Sequence, residues 1–180
     1  MQLQPQAPVG AAIALSPLEA LAPDQVQDAA VPRGYLSFHL GREEYGIDIL
    51  KVQEIRSYSE PTRMAGAPNV VRGVIDLRGV IVPVIDLRLC FGLAEARTDG
   101  STVVIVLNLA HRVVGIVVDA VSEVIELRPA QLRAAPEFVG GLLTDFILGL
   151  ARVPAEGTER LIIVTDIEKL MASPSMGLAA

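Results

Sequence analysis

Two aspartates come nearest to a paired acid–base set in this chain. Asp86 closes Val84-Ile85-Asp86 and Asp166 closes Val164-Thr165-Asp166, 80 positions apart. Each follows a β-rich run and precedes a short helical pattern, Leu87-Arg88-Leu89-Cys90-Phe91 or Ile167-Glu168-Lys169-Leu170. A carboxylate at such a junction accepts N–H groups of the first helical turn, so capping accounts for both without acid–base work. The two histidines, His39 and His111, fall in different hairpins, one on the polar phase of a strand and one in a turn. A solvated surface position fits both better than a ligand or proton-transfer role. Cys90 lies between Leu89 and Phe91 with no base near in sequence, which fits a buried, inert thiol. A single cysteine can form neither an intrachain disulfide nor a zinc cluster. No G-x-S-x-G, H-E-x-x-H, Walker or G-x-G-x-x-G pattern occurs. No catalytic residue, metal site or cofactor is expected.

Chemistry suited to docking is present instead. Arg78-Gly79 stands at a hairpin tip, and the stretch taken to correspond in the second half, Phe146-Ile147-Leu148-Gly149, keeps the glycine but has no arginine. An arginine there is equally a donor for a partner's carboxylate or a solvated turn residue. The formal charge of −6, with no basic run, lacks the electrostatic footprint of a nucleic-acid binder. The first basic residue after Met1 is Arg33, so no secretory signal is expected. No apolar run reaches the ~20 residues of a membrane-spanning helix, so no direct membrane insertion is expected. These features fit a reducing cytosol.

The elements that must hold these residues read as β. Apolar residues make up 51% of the chain and aromatics only 4%, so the core is built from Val, Ile and Leu, which favours strands. Residues 1–33, rich in Ala, Pro and Gln, read as a flexible tail with a weak helix over 17–21. Leu36, Phe38 and Leu40 alternate with polar residues, as do Tyr45, Ile47 and Ile49, with Gly41-Arg42-Glu43-Glu44 as the turn between them. Val52 and Ile55, three apart, read as a helical turn. Gly73-Val74-Ile75-Asp76-Leu77 and Val80-Ile81-Val82-Pro83-Val84-Ile85 form a second hairpin, in which Pro83 marks an edge or a bulge. Gly92 ends the short helical piece, and residues 94–101 form a polar linker.

The pattern then recurs. Ile105, Leu107 and Leu109 stand 69 positions after Leu36, Phe38 and Leu40, and Gly115 stands 69 after Gly46. Glu123 stands 69 after Glu54, and residues 161–167 match 81–87 at an offset of 80. The 11 added residues are assigned to the neighbourhood of a 151–158 loop. A pattern used twice in one order marks a duplicated unit. An isolated hairpin is marginal in water, so the strands must close or stack. The expected fold is mainly β. Two small five-stranded barrels, over 34–93 and 102–172, flank a groove or apolar seam, with short helices including a C-terminal one and a disordered tail over 173–180. Gly46 and Gly115, shared by both units, are expected to serve tight packing or unusual backbone angles. Gly79, Asp86 and Asp166 are the remaining turn and cap residues.

Glu44-Tyr45-Gly46-Ile47-Asp48-Ile49-Leu50-Lys51-Val52-Gln53-Glu54-Ile55-Arg56 resembles a signature of CheW-type coupling proteins, and so does the stretch from Gly73 through Arg88. Residues 102–119, Pro136-Glu137-Phe138 and Ile167-Glu168-Lys169-Leu170 match as well, so the resemblance covers 35–172. It implies two SH3-like five-stranded barrels around a shared core and a non-enzymatic scaffold. Such a scaffold bridges the cytoplasmic signalling tips of methyl-accepting chemoreceptors and the regulatory domain of a CheA-type histidine kinase. Its implied location is the cytoplasm, recruited to membrane-bound receptor arrays, where other copies of the coupling protein are further partners. Carried over by position, the partner-contact residues are Val52, Glu54, Arg56, Gly73, Arg78 and Val103. Glu54 carries two readings, since Glu123 repeats it as a structural residue would. The same scaffold in a surface-motility or gene-expression pathway is the alternative.

Overall fold

The computed structural model describes residues 31–93, 97–110, 112–136, 144–176 and 178. Residues 1–30 of the expected tail, linker residues 94–96, and His111, Glu137 and Phe138 lie outside the described residues. The first unit runs β1 (Arg33–Leu40), β2 (Glu43–Asp48), β3 (Val52–Ser57), β4 (Val71–Leu77), β5 (Val80–Asp86) and helix α1 (Leu87–Cys90). The second runs β6 (Val103–Leu109), β7 (Arg112–Val118), β8 (Ala120–Leu127), β9 (Ile147–Ala155), β10 (Thr158–Thr165) and helix α2 (Ile167–Ala172). The fold is mainly β, as two five-stranded sheets with few short helices.

The sheets do not follow the two units. One has the order β8-β1-β2-β10-β9 and the other β3-β6-β7-β5-β4. Each barrel therefore takes the first two strands of one unit and the last three of the other. Strands 34–93 and 102–172 do not close separately, which corrects the expected allocation. The physical reason lies in β2 and β5. β2 pairs in parallel with β10 and β5 in parallel with β7, so each unit's first hairpin adds to the other unit's last one.

Three apolar clusters follow from this exchange. Tyr35, Ile125, Leu127, Ala151, Ile162 and Val164 fill the first barrel. Leu77, Val82, Val84, Val104, Val106 and Val117 fill the second. The largest cluster is shared, and Phe38, Ile47, Ile85, Ile105, Ile116 and Leu170 are among its members. The junction is thus an apolar seam. Gly46 and Gly115 serve packing: a Cβ would stand 3.2 Å from Ile162 Cγ2 at the first and 2.9 Å from Val104 Cγ1 at the second.

Several local expectations change. The first turn is only Gly41-Arg42, since Glu43 and Glu44 belong to β2 and Glu44 is buried. Val52 and Ile55 are on a strand, not a helical turn. The helical piece is the 3-10 turn Ile49–Lys51, where Asp48 accepts the N–H of Leu50. The register of β3 against β6 shifts between Val52 and Glu54, and this bulge gives the three-residue spacing. Pro83 sits on a strand flanked by two others. Its partner on the β4 side is Val74, and pairing with β7 begins only at Val84, so no ladder bond needs its missing N–H there. Residues 151–158 are no loop: β9 continues to Ala155 and β10 starts at Thr158. At the C-terminus, Pro174–Met176 form a 3-10 turn and Met176 is buried in the shared core, so this part of the expected disordered tail is packed.

Candidate functional site

The β4–β5 hairpin turns through Arg78 (φ 53°) and Gly79 (φ 86°), both left-handed, between the paired Leu77 and Val80. Two positive-φ residues make the type I′ turn that matches strand twist. Asp76 Oδ1 accepts the Gly79 N–H at 2.7 Å and closes the turn, a role not read from the sequence. The turn aims Arg78 back at β3, where its Nη2 donates to Glu54 Oε2 at 2.8 Å. Arg78 is 74% exposed and Glu54 22%. Arg56 Nε stands 3.9 Å from the other Glu54 oxygen. Three candidates separated in sequence thus form one charged cluster.

Beside it lies a cleft of about 250 Å³, lined by Arg56, Ser59, Glu60, Thr62, Asp76 and Val104 among others. Gly73 forms its structural support. Thr62 and Val74 exchange backbone bonds, both at 2.9 Å, which tie the segment after β3 onto β4. At Gly73, with φ 144°, a Cβ would stand 2.1 Å from the Thr62 carbonyl oxygen. Only glycine fits there. Gly73 is buried and acts through the backbone. Val52 and Val103 stand apart from the charged cluster, half-buried against the shared core.

Exposed apolar side chains flank the ion pair in sequence: Ile55 beside Glu54, Val80 and Ile81 beyond Arg78. The duplicated unit repeats this composition. Glu123 pairs with Arg160, and their neighbours Val124 and Leu161 are exposed apolar residues. These flanking residues were missed in the sequence, although Ile55 with Val124 and Ile81 with Leu161 obey the repeat offsets of 69 and 80. The correspondence of tips also changes. Gly149 lies against Arg133 as Gly73 lies against Thr62, so it matches Gly73 rather than Gly79. The counterpart of Arg78-Gly79 is Glu156-Gly157, with Gly157 at φ 82°. Barrel tips of the two units therefore carry opposite charge.

Asp86 caps α1, and its Oδ1 accepts the Arg88 N–H at 3.1 Å. It is also fully buried and gripped by two guanidinium groups: Arg88 through Nε at 2.9 Å and Nη2 at 2.8 Å, and Arg72 through Nε at 2.8 Å. Burial pushes its carboxyl up, but the bonds and charges of Arg88 and Arg72 outweigh this and hold it below the usual carboxylate range. Asp166 caps α2, accepting the Lys169 N–H at 2.9 Å. Burial and the charge of Asp86 push the Cys90 thiol up to about 12, so it stays protonated. His39 is half-buried on β1. Among the described residues no group of three His, Cys, Asp or Glu side chains is placed to hold a metal ion. Among the described residues no helix is long and apolar enough to cross a membrane. What the arrangement offers chemically is an exposed charged pair on elements that also carry exposed apolar residues.

Comparison with known proteins gives the same outline. The chemotaxis protein CheW of Klebsiella aerogenes is 53% identical over 148 residues, covering 82% of this chain and 87% of that protein. CheW of Bacillus subtilis is 36% identical, covering 77% of this chain and 86% of that protein. The crystal structure of the scaffolding protein TtCheW from Thermoanaerobacter tengcongensis superimposes with a TM-score of 0.69 at 30% identity, over 79% of this chain and 90% of that one. The family model of the CheW-like domain matches residues 34–175, and the chain belongs to that family.

Proposed function

We propose that the chain is a non-catalytic scaffold that couples chemoreceptor signalling tips to the regulatory domain of a CheA-type histidine kinase. It works in the cytoplasm, recruited to membrane-bound receptor arrays, where it also meets other copies of the coupling protein. The observation that carries the reading is the Glu54–Arg78 pair at 2.8 Å, with Arg56 3.9 Å from Glu54 and the exposed apolar residues Ile55, Val80 and Ile81 close to its members in sequence. An exposed guanidinium beside apolar side chains is a composition suited to a partner carboxylate on an apolar face. Val52 and Val103 serve as contacts from the seam side, and Gly73 contributes by holding the cleft wall. The repeated composition around Glu123 and Arg160 provides a second face, as a bridging protein requires.

Coupling then follows from geometry. A rigid adaptor holding two partners raises their effective concentration for one another. Receptor state reaches the kinase to the extent that adaptor contacts differ between kinase-on and kinase-off states. The test is co-purification with a receptor signalling fragment and the kinase, together with a kinase activity assay. Both partners are retained and receptor control of the kinase appears only with the adaptor present. Retention of neither partner by the folded protein would refute the reading.

A further inference from the structure

The duplication allows the two sides of the seam to be compared bond by bond. Arg88, on α1, gives Nη1 to Asp119 Oδ1 at 3.1 Å, and Asp119 Oδ2 accepts the N–H of Gly41 at 2.7 Å. Gly41 is in the β1–β2 turn of the first barrel, whereas α1 leaves the second, so this clasp spans the seam. Glu168, on α2, occupies the repeat position of Arg88. Its Oε2 accepts Lys51 Nζ at 2.6 Å and its Oε1 accepts the N–H of Ala110 at 3.0 Å. Ala110, at the end of β6, is the repeat counterpart of Gly41. A second clasp thus spans the seam at the related place, with the charges reversed: cation on the helix in one, anion on the helix in the other.

The clasps differ in their exposure to water. Arg88 is 1% exposed, and beyond Asp119 it is bonded to Asp86 and to the Arg97 carbonyl oxygen. Opening that clasp would strand a buried guanidinium among partial partners, which is strongly unfavourable. Lys51 and Glu168 are 33% and 36% exposed, so water replaces their bond at small cost. Other polar anchors of α2 among the described residues are the exposed bond of Lys169 Nζ to the Asp145 carbonyl at 2.9 Å, the part-buried bond of Arg112 Nη2 to the Met171 carbonyl at 3.0 Å and, at its N-cap, the Asp166 N–H on the Phe146 carbonyl at 2.8 Å. α2 anchors itself in the shared core through its own Ile167, Leu170 and Met171, and Met176 in the turn that follows is buried there too.

We infer that α2 is a strap over the seam that opens at the Lys51–Glu168 clasp while the Arg88–Asp119 clasp stays shut. The barrels then part along one side of the shared core without global unfolding. Local opening of this kind is favoured by solvent-accessible bonds and opposed by buried apolar anchors, so it is the exposed Lys51–Glu168 clasp, against the buried Arg88 one, that selects this side of the seam. It is independent of which partners the protein binds. The test is residue-resolved amide hydrogen exchange on the full chain. The reporters are the N–H groups of Leu170 and Ser173, bonded to Asp166 and Leu170 carbonyls, and those of Phe91 and Leu93, bonded to Leu87 and Arg88 carbonyls. Leu170 and Ser173 exchange faster than Phe91 and Leu93. Glu168→Gln, which keeps an acceptor for Ala110 but removes the charge, speeds exchange at Leu170 and Ser173 about two- to five-fold and leaves Phe91 and Leu93 unchanged. Glu168→Ala speeds them further, and the swap Lys51→Glu with Glu168→Lys restores part of the protection. Equal protection of the two helices, a Glu168→Gln effect on both alike, or no effect on either would overturn the inference.

Discussion

The guanidinium of Arg78 is mostly in water while its partner Glu54 is mostly covered, and the two fates of this pair can be measured separately. An exposed pair adds little to folding. Arg78→Ala is expected to change the unfolding free energy by less than about 1 kcal/mol, yet to weaken association with a receptor fragment or kinase by about 1–3 kcal/mol. Denaturant unfolding alongside a pull-down separates the two. Gly73 is expected to behave the other way. Gly73→Ala forces a Cβ into the Thr62 carbonyl at a left-handed φ, so it should lower stability by more than about 2 kcal/mol. Any lost binding should then track a lowered Tm. Asp86 makes a pH-dependent contribution. Its folded value is lowered, so its stabilisation is complete above about pH 4, the ordinary range of Asp, and is lost as pH falls through the folded value. Asp86→Asn should remove that part of the acid-unfolding profile and, by leaving the buried Arg88 with Asp119 but without its buried anion, cost up to about 3–5 kcal/mol. At this scale the sequence was partly legible. Glu54, Arg78 and Asp86 stood out by type, but the pairing across strands and the burial of Arg88 depend on tertiary closure that local patterns do not carry.

Elements were read best where apolar alternation is uninterrupted. Leu36, Phe38 and Leu40, and Ile105, Leu107 and Leu109, are buried along β1 and β6 as their spacing implies. The reading failed where a bulge changes the phase. With Gln53 inserted between paired Val52 and Glu54, a strand shows the three-residue spacing of a helix. Gly149 was misaligned because the β9–β10 hairpin is longer, nine and eight residues against seven and seven in β4 and β5. Glycines on two elements make separable predictions. A Cβ at Gly79 meets nothing within 4 Å, so Gly79→Ala should cost only the left-handed penalty of about 1–2 kcal/mol. Gly115→Ala meets Val104 Cγ1 at 2.9 Å without a left-handed φ. Its cost should therefore shrink in a Val104→Ala background, a non-additivity that a double-mutant cycle of unfolding free energies detects.

For the whole molecule, the duplication was legible from the offsets, but the way the units combine was not. The offsets record order along the chain and not which hairpin a strand joins. Sheet orders β8-β1-β2-β10-β9 and β3-β6-β7-β5-β4 make each barrel a product of both units. Chains cut within the linker, near Asp99, should therefore be unfolded when separate and should assemble when mixed, as followed by circular dichroism. Independent folding of either fragment would contradict the exchange. This arrangement also has a historical meaning. Two copies of a half-length polypeptide, each lending its leading hairpin to its neighbour, would already build both barrels and their common core as a swapped homodimer. Such copies joined end to end would be free to differ from one another, as the two tips here do: one carries arginine and glycine, its twin glutamate and glycine.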